Sequence, residues 1–455
     1  MNNQYTMPAR QTTLLFVGIA VGVLSLILTY FGGNDNELHS RFWSNLLHNS
    51  VFFTGIALMA VFFLSASITA WAGWYTVFKR VWESMGQFLI VGFVLMLIIG
   101  LGVYFHWHHL YHWADAESVA TDELLEGKSG FLNANMYVVF GGIIVLAWYF
   151  FAKRMRDISL SEDTEGGDSG FKHHRRLRTY AAIFLPIAGF TSAAVIWLWV
   201  MSVDAHWYST LFGWYAGASW FVAMIALTIM IISYMKGKGY FAEVSNEHLH
   251  DLGKLLFAFS IFWTYLWFSQ YMLIWYGNVG EETGYYKLRK DDYGILFYGN
   301  IVINFLLPFF VLMRNDNKRK YGTLLLTSGA VFFGHWWDYF LMIKPGVIHT
   351  AHEVMGHSDH GAGHDGEHAG EATHSAAEHG SEVAHAAGGH AESVADAAHG
   401  ASEFLMGYNL PGFLEIGTFI GFLSLFLLIF YRTLGSAPLT PAKDPFLEES
   451  LHHHV

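Results

Sequence analysis

Cysteine is absent from all 455 residues. That excludes a disulfide framework, thiolate-held iron–sulfur clusters, covalently attached c-type haem and a lipidated cysteine anchor within this chain. Charge is scarce as well: charged side chains make up only 14% of the sequence, against 53% hydrophobic residues. Soluble domains need far more charge on their surfaces, so the solvent for most of this chain is lipid. Lys and Arg number only 25, too few to cover a phosphate backbone, and a nucleic-acid partner is excluded. What is abundant is aromatic. Phe, Trp and Tyr form 17% of the chain, and many Trp and Tyr stand at the ends of apolar runs, where amphipathic rings favour the headgroup layer.

A hydrocarbon core about 30 Å thick takes roughly 20 apolar residues as a helix. Ten windows of that kind follow one another: Thr13 to Phe31, Val51 to Trp74, Gln87 to Phe105, Asn133 to Phe151, Tyr180 to Val203, Thr210 to Met235, Leu252 to Tyr276, Gly294 to Met313, Tyr321 to Ile343 and Pro411 to Tyr431. The expected fold is therefore all-α, a polytopic membrane protein with about ten transmembrane helices. Sorted by loop, 19 of the 25 Lys and Arg fall on the side of both termini, among them Lys172, Arg175, Arg176 and Arg178, and 6 on the other. The positive-inside rule puts the 19 in the cytoplasm of a bacterial inner membrane, with both ends inside. The first window lacks an obvious small-residue cleavage site and is followed by Asn34, Asp35, Asn36 and Glu37, so it reads as a retained helix.

Spans two to five and six to nine form two groups of four that enter from the same side, and any repeat between them is parallel. The expected divisions are 1–48 with the first span, 49–203, 204–343, a loop at 344–410, and 411–455 with the last span. From Pro345 to Leu410 the chain holds 11 His and 10 Asp or Glu with no Lys or Arg, amid Ala and Gly. Such a segment cannot build a core and reads as a solvated periplasmic linker, with divalent-metal buffering as the functional alternative.

Ionisable residues inside spans are costly and therefore informative. Very few lie deep. Span nine carries Gly334-His335-Trp336-Trp337-Asp338-Tyr339, with His335 and Asp338 three residues apart on one helical face. They are the proton-relay candidates, or else a His–Asp pair that ties helices together. Span three ends in His106, Trp107, His108, His109, Tyr111, His112, Trp113 and Asp115, a cluster suited to proton relay or to a quinol hydroxyl, or to ordinary interfacial anchoring. Near the end of span seven, Gln270 and Tyr271 can hydrogen-bond a ligand against aromatic walls; with His109 and His112 they are the quinone candidates. Asp115, Asp204, His206, Glu281, Glu282 and Glu415 gather on the same outer side as candidate proton-exit groups. The cytoplasmic side looks conventional.

The run Phe268 to Asn278 with Glu281 and Glu282, together with His109-Leu110-Tyr111-His112-Trp113 and ten spans, resembles the ActF-type membrane subunits of alternative complex III, within the wider NrfD or polysulfide-reductase family. The resemblance covers the membrane part and leaves the His-rich loop unexplained. It implies two four-helix bundles with spans one and ten outside them, and a place in a bacterial quinol:electron acceptor oxidoreductase. It also implies partners: a homologous NrfD-like membrane subunit, a periplasmic iron–sulfur protein and c-type cytochrome subunits, together with a terminal oxidase where the complex couples to one. Those partners carry the haem and iron–sulfur centres, and the only cofactor expected at this chain is a quinone such as menaquinol. Two other classes stay open: a secondary transporter, or a subunit serving structure and assembly alone. A haem b cytochrome needs two axial His at one depth, and His335 has no partner as deep.

Overall fold

The computed structural model describes residues 4–32, 38–167, 170–361 and 408–453. Ten long helices dominate: α1 (Ala9–Phe31), α2 (Ser40–Thr69), α3 (Thr76–Tyr104), α4 (Met136–Glu165), α5 (Lys172–Val203), α6 (Thr210–Gly237), α7 (Asn246–Gly277), α8 (Gly294–Leu312), α9 (Tyr321–Gly361) and α10 (Phe413–Leu434). No strand occurs among the described residues. All but α9 are long and apolar enough to cross a membrane. The chain is thus an all-α, multi-pass membrane protein.

The exception has a physical reason. A span must be apolar only where it faces lipid, and α9, enclosed by α6, α2 and α8, keeps His335, Trp336 and Asp338 wholly buried. Its polar residues are solvated by protein, so its composition is freer.

Two groups of four emerge from the packing. Helix α2 lies against α3 and α5, with α4 closing on α3 and α5; α6 lies against α7 and α9, with α8 between those two. The groups meet where α6 touches α2 and α5 and where α9 touches α2, and α2 and α6 are accordingly the most buried of the nine apolar spans. Outside both groups, α1 packs on α10. The pair uses small residues at matching heights, Gly18, Gly22 and Ser25 against Gly417, Gly421 and Ser424: a Cβ on Gly22 would stand 2.4 Å from the Gly421 backbone. Such spacing lets two helices approach closely in lipid, where burial of apolar surface gives no drive. Gln4 bonds Gly435 at 2.8 Å and Tyr5 stacks near Tyr431, so both ends of the described chain share one face, here the terminal face. The opposite one is the distal face.

The helices outrun the apolar windows. Helix α2 begins at Ser40, not Val51, because Ser44, Asn45, His48 and Asn49 point inward and are buried; the boundary expected at 48 falls within it. Helix α3 likewise starts at Thr76 with buried Lys79, Arg80 and Glu83. The loop expected to open at 344 does not: α9 continues through Pro345 to Gly361. Residues 362–407, most of the His-rich segment, lie outside the described residues.

Candidate functional site

The interior of the second helix group holds a carboxyl group. Asp338, wholly buried on α9, accepts at Oδ1 from the Tyr215 hydroxyl and from Asn300 Nδ2 at 2.7 Å, and at Oδ2 from Trp263 Nε1 at 3.0 Å. Each partner comes from a different helix, α6, α8 and α7 in that order. Asn300 in turn accepts from Asn304 Nδ2 at 2.6 Å. Residues Val302–Leu306 form a π-helical turn, the wider turn often found at functional sites. Pro308 follows it, lacking the N–H that would bond the Asn304 carbonyl.

His335 does not bond Asp338. Its Nδ1 meets Ser219 Oγ at 2.9 Å, one helical turn along α6 from Tyr215, and Nε2 is buried with no partner among the described residues. The two residues do share a face, both turned to α6, and have no direct bond; Ser219, which bonds His335, also interacts with the Asp338 carboxyl. A residue that sequence reasoning missed is Lys344, wholly buried and donating to Ser44 Oγ and Asn45 Oδ1, both at 2.6 Å. Asn45 also donates to Glu415 at 3.1 Å, and Glu415 is held by Arg41 at 2.8 and 3.0 Å and by the Gly412 amide at 3.0 Å. So Glu415, a candidate exit group, is a saturated ion-pair partner that caps α10.

At the distal face the expected candidates are partly brought together. His112, Asp204, His206 and Glu281 line one cavity of about 200 Å³ with Trp207, Tyr285 and His349. Asp204 is paired there with Arg289, from the helix Gly280–Asp291, at 2.7 Å. His206 bonds Asp122 at 2.5 Å, and that hydrogen bond holds the Asp122 carboxyl below the usual range. Asp115 caps a short helix by accepting from the Ser118 amide at 2.9 Å. Glu282 is half-exposed beside Glu281.

The His106 to Asp115 run does not act as one cluster. His106 is exposed, and His109 partly so. His108 is buried against Trp43 with Nε2 on the Ile99 carbonyl at 3.1 Å. Burial pushes its imidazole down to about 4, so it is neutral and structural. Tyr271 lines a separate cavity of about 260 Å³ with Trp275, Asn278 and Tyr286. Gln270 is 2% exposed, and neither its amide oxygen nor its nitrogen has a partner among the described residues.

The terminal face is less conventional than the sequence suggests. Buried Lys79 meets Asp444 from the C-terminal tail, with Glu162 at 3.8 Å. Arg80 bonds Glu83 at 2.6 Å and Asp163 at 2.5 Å, and Arg156 reaches the Thr433 carbonyl at 2.7 Å. The Ala442 amide donates to Asp163 at 3.0 Å, and Ser450 bonds the Trp74 carbonyl at 2.7 Å. The tail is laid across the ends of α2, α3 and α4. Its partners lie 279 to 376 positions away in sequence, a separation at which no local pattern signals pairing. The buried lysine at 344 did have a local sign, standing one residue beyond an apolar window and followed by proline.

Neither a family model nor any curated protein matches this chain.

Proposed function

We propose that this chain is an integral subunit of a respiratory quinol-oxidising complex, of the NrfD type its sequence resembles, and that Asp338 handles protons within it. The observation that carries this reading is a wholly buried carboxyl group fed by three neutral donors. Among the described residues no ion pair reaches it. In hydrocarbon an ionisable residue is costly, and one kept without a counter-charge marks a proton or ion path. Hydrogen bonds from three helices hold the carboxyl group in place without a counter-charge.

A quinol, when bound, supplies two electrons and two protons. Its ring asks for flat apolar walls and a few hydrogen-bond partners. The Tyr271 cavity offers Tyr271, Trp275 and Tyr286 as walls and Asn278 and Thr283 as hydrogen-bonding groups; Gln270, turned to another face of the helix, does not line it. Tyr271 and Asn278 would hold the ring; Asp338, with Tyr215 and Asn300, would hold and pass a proton at its Oδ1. The electrons would go to iron–sulfur and c-type haem subunits on the distal side. The Lys and Arg excess of the terminal face supports a cytoplasmic terminal side and a periplasmic distal side.

The test is gentle purification from the native membrane, with the visible spectrum and the co-purifying subunits identified by mass. The expected result is c-type haem in partner chains and quinol:acceptor turnover that falls in Asp338→Asn. Purification without haem or iron–sulfur partners sinks the complex; full turnover and proton release in an assembled Asp338→Asn variant sinks the proton role. One observation favours a second reading, a secondary transporter: a π-helical turn opens α4 at Met136–Phe140 and another interrupts α8 at Val302–Leu306, the third helix of each group. Solute uptake by the chain alone in liposomes would decide for it.

A further inference from the structure

Helix α9 runs through Pro345 without a break. Proline has no N–H for the carbonyl four residues earlier, and its ring crowds that carbonyl; here the carbonyl belongs to Leu341. Arg289 supplies the missing donor. Its Nε donates to the Leu341 carbonyl at 3.0 Å and Nη2 to the Met342 carbonyl at 3.3 Å. The guanidinium is itself fixed by Asp204 at 2.7 Å, by the Tyr285 carbonyl at 3.0 Å, and by the Tyr285 ring 3.3 Å below its plane. Gly346 admits Asp204, since a Cβ there would lie 2.8 Å from its carboxylate. Pro345 frees a carbonyl, Gly346 frees space, and Arg289 with Asp204 occupies both.

The clasped turn is the one that follows Asp338. Leu341 and Met342 stand three and four residues on, about 4.5 to 6 Å along the axis, and the Met342 amide is the helical partner of the Asp338 carbonyl. Asp204 and Tyr285 line the distal cavity, so an unbroken set of bonds joins that cavity to the backbone carrying the buried carboxyl group.

We propose that Arg289 is a positioning residue for Asp338. By replacing the amide that Pro345 lacks, it fixes the course of α9 through Pro345 and thus where the Asp338 carboxyl meets Tyr215, Trp263 and Asn300. The inference rests on the reading of Asp338 given above, and its test does not use quinol turnover.

The readout is the rate at which a hydrophobic carbodiimide modifies Asp338 in membranes, followed by peptide mass spectrometry. The variants are Arg289→Gln, Arg289→Lys, Pro345→Ala and Arg289→Gln with Pro345→Ala. Arg289→Gln should change the rate roughly tenfold, the scale of one hydrogen bond to a charged group. Arg289→Lys should do the same, because an ammonium lacks the planar fork that spans two carbonyls and a carboxylate. Pro345→Ala restores a backbone N–H for Leu341, so the double variant should return towards the wild-type rate although no positive charge is restored. An unchanged rate in Arg289→Gln overturns the proposal, and so does a double variant as altered as the single one, which would make the effect purely electrostatic. Should Arg289→Gln fail to accumulate, Pro345→Ala must rescue accumulation; no rescue also overturns it. A wild-type Asp338 inert to the reagent speaks instead against the proton reading, and this proposal falls with it.

Discussion

Replacing Asp338 by Asn and by Leu separates two things that the site does. Leu removes every acceptor and leaves Tyr215 Oη, Asn300 Nδ2 and Trp263 Nε1 as buried donors without partners. At about 1–3 kcal/mol each, the loss is about 3–9 kcal/mol, comparable with the whole stability of a domain at about 5–15 kcal/mol. Asn keeps one oxygen, which can face Trp263, a donor only. Its amide nitrogen then faces Tyr215, whose hydroxyl can turn to accept, and Asn300, whose amide must flip. Asn304 has a free oxygen, Oδ1, and by flipping it can accept from the reversed Asn300. The whole amide chain can therefore reverse, and the cost should be only about 1–2 kcal/mol. The assay is the amount of folded protein and its thermal midpoint in mild detergent, with turnover measured on the same preparation. Asp338→Leu should scarcely accumulate, while Asp338→Asn accumulates normally and loses turnover. Normal accumulation of Asp338→Leu would refute the donor count on which this reasoning stands.

The tail and the outer helix pair give two further expectations. Burial would raise the Asp444 carboxyl, yet Lys79 against it holds it below the usual carboxylate range. A lowered value in the folded state stabilises above the unfolded pKa of about 3.9 and is lost as pH falls through the folded value. Acid release of the tail should thus begin only below about pH 4, whereas Asp444→Asn should loosen it at neutral pH by about 3 kcal/mol, the low end for a broken buried pair. Faster tryptic cleavage after Lys443 at neutral pH would register the loosening in Asp444→Asn, and faster cleavage of the tail by an acid protease would register the acid release; unchanged tryptic cleavage in Asp444→Asn would show that the other tail contacts suffice. For the pair α1–α10, the cysteine-free sequence lets Gly18→Cys with Ser424→Cys be tested without background thiols. The two should cross-link on oxidation, and adding Gly22→Leu should abolish the link, since its Cβ would lie 2.4 Å from Gly421 backbone.

Most of the helical architecture was legible because apolar length is a local property. Nine windows reappear among the helices that can cross a membrane, and the span that falls short of that standard is the one with His335 and Asp338. Helix ends were less legible. Lys79, Arg80, Asn45 and Lys344 look like loop or rim residues by polarity, but each is paired with a residue far away in the chain. Asp338 stood out through its depth alone; its partners Tyr215, Trp263 and Asn300 carry no sign in sequence of which way they face. The direct His335–Asp338 link suggested by their spacing does not exist, because residues three apart on a helix share a face without having to touch when each finds a better partner across the groove. Pro345 read as a helix end because its missing amide is a local fact, while Arg289, which compensates for it, lies 56 positions earlier.

The Gly22–Gly421 contact has a consequence in time. One side of it is made early in translation and the other about 400 residues later, which at roughly 5–20 residues per second is a delay of about 20–80 s. During that interval the glycine seam of α1 waits without the helix that covers it in the folded chain. Docking of α10 onto α1 must therefore be among the last events of biogenesis, and a ribosome that stalls before Phe413 leaves the first helix as a loose end that membrane quality control can recognise.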